Sequence, residues 1–226
     1  MNIQIITSED GSHTLFNSAI NEHYHSTKGA ITESQFIFIN NGYEMLPGRS
    51  RSINILEIGL GTGLNALLTS IRCEKDNRKV NYVAIEPYPI AVDILSELNY
   101  PGLVGSCEER NRFWMIHNVP WEVPHIISDN FILYKIKQRI QEIELQKDRF
   151  SLIYFDAFSP EVQPEMWTKD VFEKLFDSME PGGLLLTYSV QGEMRRVLKT
   201  CGFDVVKVPG PPGKREITQA SKPKIL

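Results

Sequence analysis

Cysteine is scarce in this chain and nowhere paired. Cys73, Cys107 and Cys201 are scattered, form no C-x-x-C and leave one residue over. That spacing speaks against a disulfide framework and against a zinc site. Buried, inert thiols are the expected state. Long uncharged apolar runs are also missing, so nothing approaches membrane-spanning length. No basic-then-apolar leader opens the sequence, and the cytoplasm is the expected compartment. There is no internal repeat, low-complexity tract or linker. Positive charge is in deficit: 24 Lys and Arg stand against 28 Asp and Glu, a net charge of −4. A nucleic-acid partner would therefore need a local basic patch. What is present is 226 residues, 42% apolar and 23% charged. That suffices for one globular domain with embellishments.

Residues 53–65, Ile-Asn-Ile-Leu-Glu-Ile-Gly-Leu-Gly-Thr-Gly-Leu-Asn, carry the strongest signal. An apolar strand runs into Gly59, Gly61 and Gly63, and a helix through Leu64, Leu67, Leu68 and Ile71 follows. Strand, glycine turn and helix start together make a nucleotide-binding crevice in a parallel α/β sheet. Glycine lets backbone approach a ligand closely and takes positive φ readily. The spacing is G-x-G-x-G, and Leu64 stands where the third glycine of a dinucleotide fingerprint belongs. Glu57 precedes the first glycine by two residues. A carboxylate there would repel a pyrophosphate but can accept hydrogen bonds from a cationic amino-acid cofactor. The E-x-G-x-G-x-G form resembles motif I of the class I S-adenosylmethionine-dependent methyltransferases.

From Ile53 onward strands and helices alternate, which implies a doubly wound parallel sheet. Before that, residues 2–7 and 12–16 flank Glu9-Asp10-Gly11, a hairpin signal. Strands are expected at Val80–Ile85, His125–Ser128, Ser151–Phe155, Gly183–Thr187, Phe203–Val208 and Glu216–Thr218. Helices are expected at Ile90–Leu98, Val171–Met179 and Glu193–Thr200, and through Ile132, Ile136, Ile140 and Ile143. Residues 100–123 read as an irregular surface insertion. Glu57, Glu86, Asp129 and Asp156 each end a strand, at the sheet edge where ligands bind in such folds. Glu86 can accept both ribose hydroxyls of an adenosine; otherwise it is a solvent-facing charge before Pro87. Asp129 can border an adenine amino group or cap a helix.

Residues 152–167, Leu-Ile-Tyr-Phe-Asp-Ala-Phe-Ser-Pro-Glu-Val-Gln-Pro-Glu-Met-Trp, are the second strong segment. Four apolar residues deliver Asp156 to the sheet edge, and Pro160 and Pro164 stiffen the loop that follows. The loop resembles the D/N-P-P-aromatic segment of amine-methylating enzymes. An amine must be unprotonated and aligned to accept a methyl group, and a carboxylate can do both tasks. A turn cap is the bland alternative for Asp156.

With these segments the chain resembles the bacterial tRNA 5-(aminomethyl)-2-thiouridine methyltransferases. The likeness runs through Tyr24–Phe38, Ile55–Asn65, Phe155–Trp167, Gly192–Gly202 with Arg195-Arg196, and Lys214-Arg215-Glu216. Leu60, Val162-Gln163 and Pro211-Pro212 depart from the family pattern. The resemblance implies an α/β, Rossmann-like class I methyltransferase fold over residues 51–226. Residues 1–50 would form a short β extension and a substrate-side segment. It implies S-adenosyl-L-methionine as cofactor and the amine of a modified wobble uridine in tRNA as substrate. It implies no membrane, no metal and no flavin domain in this chain. Cofactor contacts are then expected from Glu57, Gly59, Gly61, Gly63, Asn65, Glu86 and Asp129. Asp156 is the expected catalytic residue. Tyr24, Glu33, Phe38 and Phe158, with the basic residues Arg195, Arg196, Lys214 and Arg215, are the expected substrate contacts.

The bland readings stand beside these. A basic run is usually a solvated face. Aromatic core packing is expected for at least one of Tyr24, Phe36 and Phe38. His23 and His25 have no partner motif for a metal. A class I methyltransferase for a small-molecule or protein amine, a nicotinamide-dependent oxidoreductase and a non-catalytic cofactor binder are the rival functions. The missing third glycine opposes the oxidoreductase.

Overall fold

The computed structural model describes residues 3–46 and 52–224. β1 (Ile3–Thr7), β2 (His13–Asn17) and β3 (Glu22–His23) precede α1 (Ala30–Ser34), which continues as a π-helical stretch over Gln35–Asn40. β4 (Ile53–Ile58), α2 (Leu64–Asp76) and β5 (Val80–Ile85) follow. α3 (Val92–Ser96), α4 (Tyr100–Val104) and α5 (Cys107–Asn118) lead to β6 (His125–Ser128), β7 (Phe131–Ile136) and β8 (Phe150–Phe155). α6 (Lys169–Ser178), β9 (Met179–Thr187), α7 (Gly192–Thr200), β10 (Asp204–Pro209) and β11 (Glu216–Ser221) complete the order.

One sheet holds eight strands in the order β10-β11-β9-β8-β4-β5-β7-β6. Its centre is parallel: β4 pairs with β5 and β8, β5 with β7, and β8 with β9. Both margins are antiparallel, through β6 on one side and β11 and β10 on the other. The chain moves outward from β4 to β5 and β7, then returns to β8 and β9 on the other flank. Strand order thus reverses beside β4, and a crevice opens there at the strands' carboxyl ends. The expected central sheet is present; its antiparallel margins make it mixed.

Side-chain alternation along β4 explains the two layers. Ile53 and Ile55 pack with Leu64, Leu67 and Phe113 on one face. Leu56 and Ile58 pack with Phe172, Leu175 and Leu198 on the other. The amino-terminal segment joins the first layer through Leu15, Ile37, Phe38, Ile39 and Tyr43. Its three strands form a separate small sheet, β1-β2-β3, yet it shares the main core. The expected division at residues 50 and 51 falls outside the described residues.

Three expectations need correction. The helix through Ile132–Ile143 is instead β7 followed by a single 3-10 turn at Ile140–Glu142. Its isoleucines recur every four residues, but β-branched side chains suit a strand equally. All six residues of β7 pair with β5, a gain no isolated helix offers. Residues 100–123 are also not an irregular surface insertion. They contain α4 and α5, and Tyr100, Phe113 and Ile116 are fully buried. A capping box, Ser106 with Glu109, starts α5, and that S-x-x-E signal stood in the sequence. Cys73 and Cys201 are buried, whereas Cys107 is exposed. Among the described residues no helix is long and apolar enough to cross a membrane.

Candidate active site

Gly59, Leu60, Gly61 and Thr62 form one wall of a cavity of about 660 Å³ at the strand-order reversal. The volume is that of an ordinary small-molecule site. Gly59 has φ +89° and Gly61 φ +48°, conformations that glycine adopts without strain. A Cβ on Gly61 would meet the Tyr24 ring at 3.4 Å. Glu86, at the end of β5, clasps this turn. Its Oε2 accepts the Gly61 N–H at 3.0 Å and its Oε1 accepts the Tyr88 N–H at 2.8 Å. Burial raises the Glu86 carboxyl above its ordinary range, and the two main-chain donors oppose that rise.

Asp156 follows β8 and lines the same cavity. Its Oδ2 accepts a hydrogen bond from Asn65 Nδ2 at 2.9 Å. Burial pushes its carboxyl up to about 7, with the negative charge of Glu33 adding to the rise. The Asn65 bond and the Lys214 charge pull the other way. A carboxyl poised near neutrality can take a proton and release it again.

The amino-terminal segment forms the opposite wall, through Glu22–Thr27 and Glu33. Glu33 is 8% exposed, accepts the Ser26 N–H at 2.8 Å, and pairs with Lys214 Nζ at 2.5 Å. Lys214 comes from the β10–β11 loop and lies over the Tyr188 ring, 4.2 Å from its centroid. Tyr24 and Phe158 meet edge to face at 4.9 Å, and both line the cavity. Glu22, Glu33, Glu142, Glu165, Glu86 and Asp156 give the walls an excess of carboxylates over Lys214 and Arg139. Such a lining favours a cationic or amine-bearing ligand.

The structure thus brings Gly59, Gly61, Glu86, Asp156, Tyr24, Glu33, Phe158 and Lys214 to one cavity, and it places the other expected residues elsewhere. Asp129 is exposed in the β6–β7 turn, and its main-chain oxygen accepts a bond from Lys79. β6 runs antiparallel to β7, so its carboxyl end lies at the sheet edge opposite the cavity. Phe38 is 2% exposed and packs on Tyr154 at 4.9 Å, a core residue. Gly63 caps α2 behind the turn. A Cβ there would stand 2.7 Å from His117 Nε2, so its small size serves packing. Glu57 is fully buried and absent from the cavity wall. Asn65 also lies off the wall and touches the site through Asp156. Arg195 and Arg196 stand on α7 and Arg215 on an exposed loop, all outside the cavity.

Sequence reading missed Tyr188, Tyr88 and Arg139. Tyr188 follows β9 directly, so the strand-end rule applied to that strand would have found it. Tyr88 and Arg139 are joined by a hydrogen bond of 2.6 Å at the cavity rim. Only the unexpected strand β7 brings Arg139 there.

Residues 125–223 match the model of a family described as S-adenosyl-L-methionine-dependent methyltransferase. The tRNA 5-methylaminomethyl-2-thiouridine biosynthesis bifunctional protein MnmC of Cupriavidus necator is 30% identical over 209 residues, 88% of this chain and 31% of that protein. The MnmC protein of Cupriavidus metallidurans is 30% identical over 229 residues, 95% of this chain and 33% of that protein. The crystal structure of MnmC2 from Aquifex aeolicus aligns with a TM-score of 0.81 at 25% identity, over 100% of this chain and 73% of that one. The chain is of the MnmC methyltransferase type. It spans about a third of the length of the curated MnmC relatives it matches. A spermidine synthase from Thermotoga maritima shares the fold, with a TM-score of 0.60 at 11% identity over 97% of this chain and 68% of that one.

The MnmC-type cavity fits the cofactor of this methyltransferase class. The turn presents glycine where a side chain would intrude, and a carboxylate held by two main-chain N–H groups stands at the end of β5. Gly59–Thr62 and Glu86 line that cavity and are the candidates to hold S-adenosyl-L-methionine. The cavity extends beyond them to Asp156, Tyr188 and Glu33, which leaves room for an acceptor.

Proposed function

We propose that this chain methylates the aminomethyl nitrogen of 5-aminomethyl-2-thiouridine at the wobble position of tRNA. The observation that carries this reading is Asp156, poised near neutrality between the glycine turn and an acidic roof. The MnmC relatives, named for 5-methylaminomethyl-2-thiouridine biosynthesis, suggest the substrate. A tRNA substrate places the reaction in the cytoplasm.

When bound, S-adenosyl-L-methionine supplies an electrophilic methyl group. Glu86 and the backbone of Gly59–Thr62 hold that end of the cavity. Glu33 and Asp156 attract the substrate's ammonium form into the site. The ammonium proton passes to the Asp156 carboxylate and from there to solvent before reaction, and the ionised Asp156 then orients the neutral amine. The product nitrogen carries one proton too many, and the Asp156 carboxylate accepts it. Tyr24, Phe158 and Tyr188 give the base an aromatic surround and keep water from the reacting nitrogen. Residues 1–50 serve in this reading as the substrate-side segment of a methyltransferase domain spanning 51–226.

The test is direct. Purified protein, methyl donor and tRNA bearing 5-aminomethyl-2-thiouridine are incubated, and the nucleosides are analysed by mass. Conversion to the 5-methylaminomethyl form is expected. Methylation of free small amines with none on tRNA would favour a small-molecule enzyme and overturn this assignment.

A further inference from the structure

The glycine turn is held from two sides, and one of them lies outside the cavity. On the cavity side, Glu86 Oε2 accepts the Gly61 N–H at 3.0 Å. On the far side, His117 Nε2 lies 3.1 Å from Thr62 O. Thr62 lines the cavity, whereas His117 does not. A carbonyl oxygen can only accept, so Nε2 carries the hydrogen and donates it. The bond draws the Thr62 carbonyl toward α5, away from the cavity. Leu60 O is engaged within the turn itself, by the Gly63 N–H at 2.8 Å.

His117 has little freedom of its own. It sits in the last turn of α5, whose first turn is fixed by the Ser106–Glu109 capping box. Its ring meets that of Phe113, one turn earlier, at 4.7 Å. Its main-chain oxygen is among the carbonyls that a helix leaves unpaired at its end, and Lys135 Nζ donates to it at 2.8 Å. Lys135 is 1% exposed and lies over the Trp121 ring, 4.7 Å from its centroid. A cation at a helix carboxyl end is stabilising. Arg112 ties α5 to α2 by donating to Ser70 O at 3.4 Å. On the turn side, a Cβ on Gly63 would stand 2.7 Å from His117 Nε2. The missing Cβ of Gly63 is what lets the imidazole reach the turn.

We propose that His117 is a positioning residue of the cofactor site: its Nε2–H fixes the Thr62 carbonyl, and through it the main chain of the glycine turn, in the shape that receives the cofactor. The inference rests on the reading that this turn holds S-adenosyl-L-methionine. Burial first, and the Lys135 charge second, push the imidazole down to about 4, against the pull of the Thr62 bond. The ring is therefore neutral at pH 7, with its hydrogen on Nε2. A neutral donor behind the turn orients the main chain without setting a positive charge against a cationic cofactor.

Three variants of the full chain test this: His117→Leu, His117→Gln and Glu86→Ala. Leu fills the space without a donor, whereas Gln can place an amide N–H where Nε2 stood. By calorimetry, His117→Leu is expected to bind S-adenosylhomocysteine about tenfold more weakly than wild type, the worth of one net hydrogen bond. Gln is expected to recover binding to within about threefold. Turnover of His117→Leu at saturating methyl donor is expected to stay within about twofold of wild type, so that the loss falls on KM for the donor and not on kcat. His117→Met is read the same way should the leucine variant fail to fold. Nitrogen NMR of the wild-type ring needs no substitution, and at pH 7 it is expected to show the neutral tautomer with hydrogen on Nε2. Equal weakening in Leu and Gln would make the role one of ring packing and overturn the proposal. A hydrogen on Nδ1 instead of Nε2 would also overturn it. So would unchanged affinity in the His117 variants where Glu86→Ala binds more weakly. Unchanged affinity in all three would take the turn itself out of the cofactor site, and the proposal with it.

Discussion

Gly59 and Asp156 meet backbone to backbone across β4 and β8: a Cβ on Gly59 would stand 2.7 Å from the Asp156 main-chain oxygen. The turn on the cofactor side and the acid on the acceptor side are therefore one rigid unit. Ile58 O also accepts the Asp156 N–H at 3.0 Å, and the Gly59 N–H donates to Ile85 O at 2.9 Å. Three strands are tied at one level of the sheet, the arrangement that alignment of donor and acceptor requires.

Gly59→Ala should accordingly damage both halves of the site. Its φ of +89° disfavours alanine and the new Cβ has only backbone to push against. A stability loss of at least about 1 kcal/mol is expected on denaturant unfolding, with loss of both S-adenosylhomocysteine binding and turnover. Gly102→Ala is the control, since a Cβ there meets nothing within 4 Å. Equal behaviour of the two variants would mean that the close approach has no consequence.

The pH dependence follows from Asp156. Its carboxyl is pushed up to about 7 by burial first and by Glu33 second. The ionised form accepts the proton, so kcat/KM for the methyl donor should rise with pH through a midpoint near 7 and level off above it. Asp156→Asn should abolish that limb and leave only the titration of the substrate amine. It should also lower turnover by roughly two to four orders of magnitude, with little change in S-adenosylhomocysteine affinity. A wild-type profile flat from pH 5 to 8 would exclude Asp156 as the acceptor.

What the sequence made legible was local. The strand and glycine turn at 53–63 and the apolar run into Asp156 each lie within one short segment, and the strand-end rule converts each into a place on the sheet. Asp129 shows where that rule breaks. It ends a strand, but the strand is antiparallel, and direction is set by pairing between β6 and β7 that no local pattern encodes. Phe38 and Tyr24 are both aromatic residues in the same substrate-side segment. One fills the core and the other lines the cavity because the path of the chain after β3 differs at the two points. Glu57 is legible as an acid beside a glycine turn, whereas its burial on the α2 side of the sheet follows from pleat alternation. The Lys214–Glu33 pair joins residues from opposite ends of the chain, so only the fold could bring it to light.

Glu86 offers a quantitative check on the cofactor wall. Its two oxygens hold the Gly61 and Tyr88 N–H groups, and the residue lines the cavity. Glu86→Ala orphans both donors and removes the acceptor proposed for the ribose hydroxyls. S-adenosylhomocysteine binding by calorimetry should weaken by roughly 1–3 kcal/mol. An unchanged dissociation constant would take Glu86 out of the site.

Lys214 and Arg215 are neighbours with different expected roles, and separating them corrects the view of both as phosphate contacts. Lys214 is inside the site: its Nζ pairs with Glu33 at 2.5 Å, lies over the Tyr188 ring and holds the Asp156 carboxyl down. Removing it leaves Glu33 and Asp156 facing each other without a cation. Lys214→Ala should therefore shift the rising limb of the pH–rate profile above its midpoint near 7 and reduce turnover at neutral pH. The salt dependence of tRNA binding should stay as it was. Arg215 is exposed on the outer side of the same loop. Arg215→Ala should keep the wild-type pH profile and weaken tRNA binding. The log–log slope against salt should fall by roughly one for the lost phosphate contact. The measurements are a pH–rate profile and a salt titration of tRNA binding on each single variant. A flattened salt slope in Lys214→Ala with an unmoved pH profile would return Lys214 to the tRNA surface.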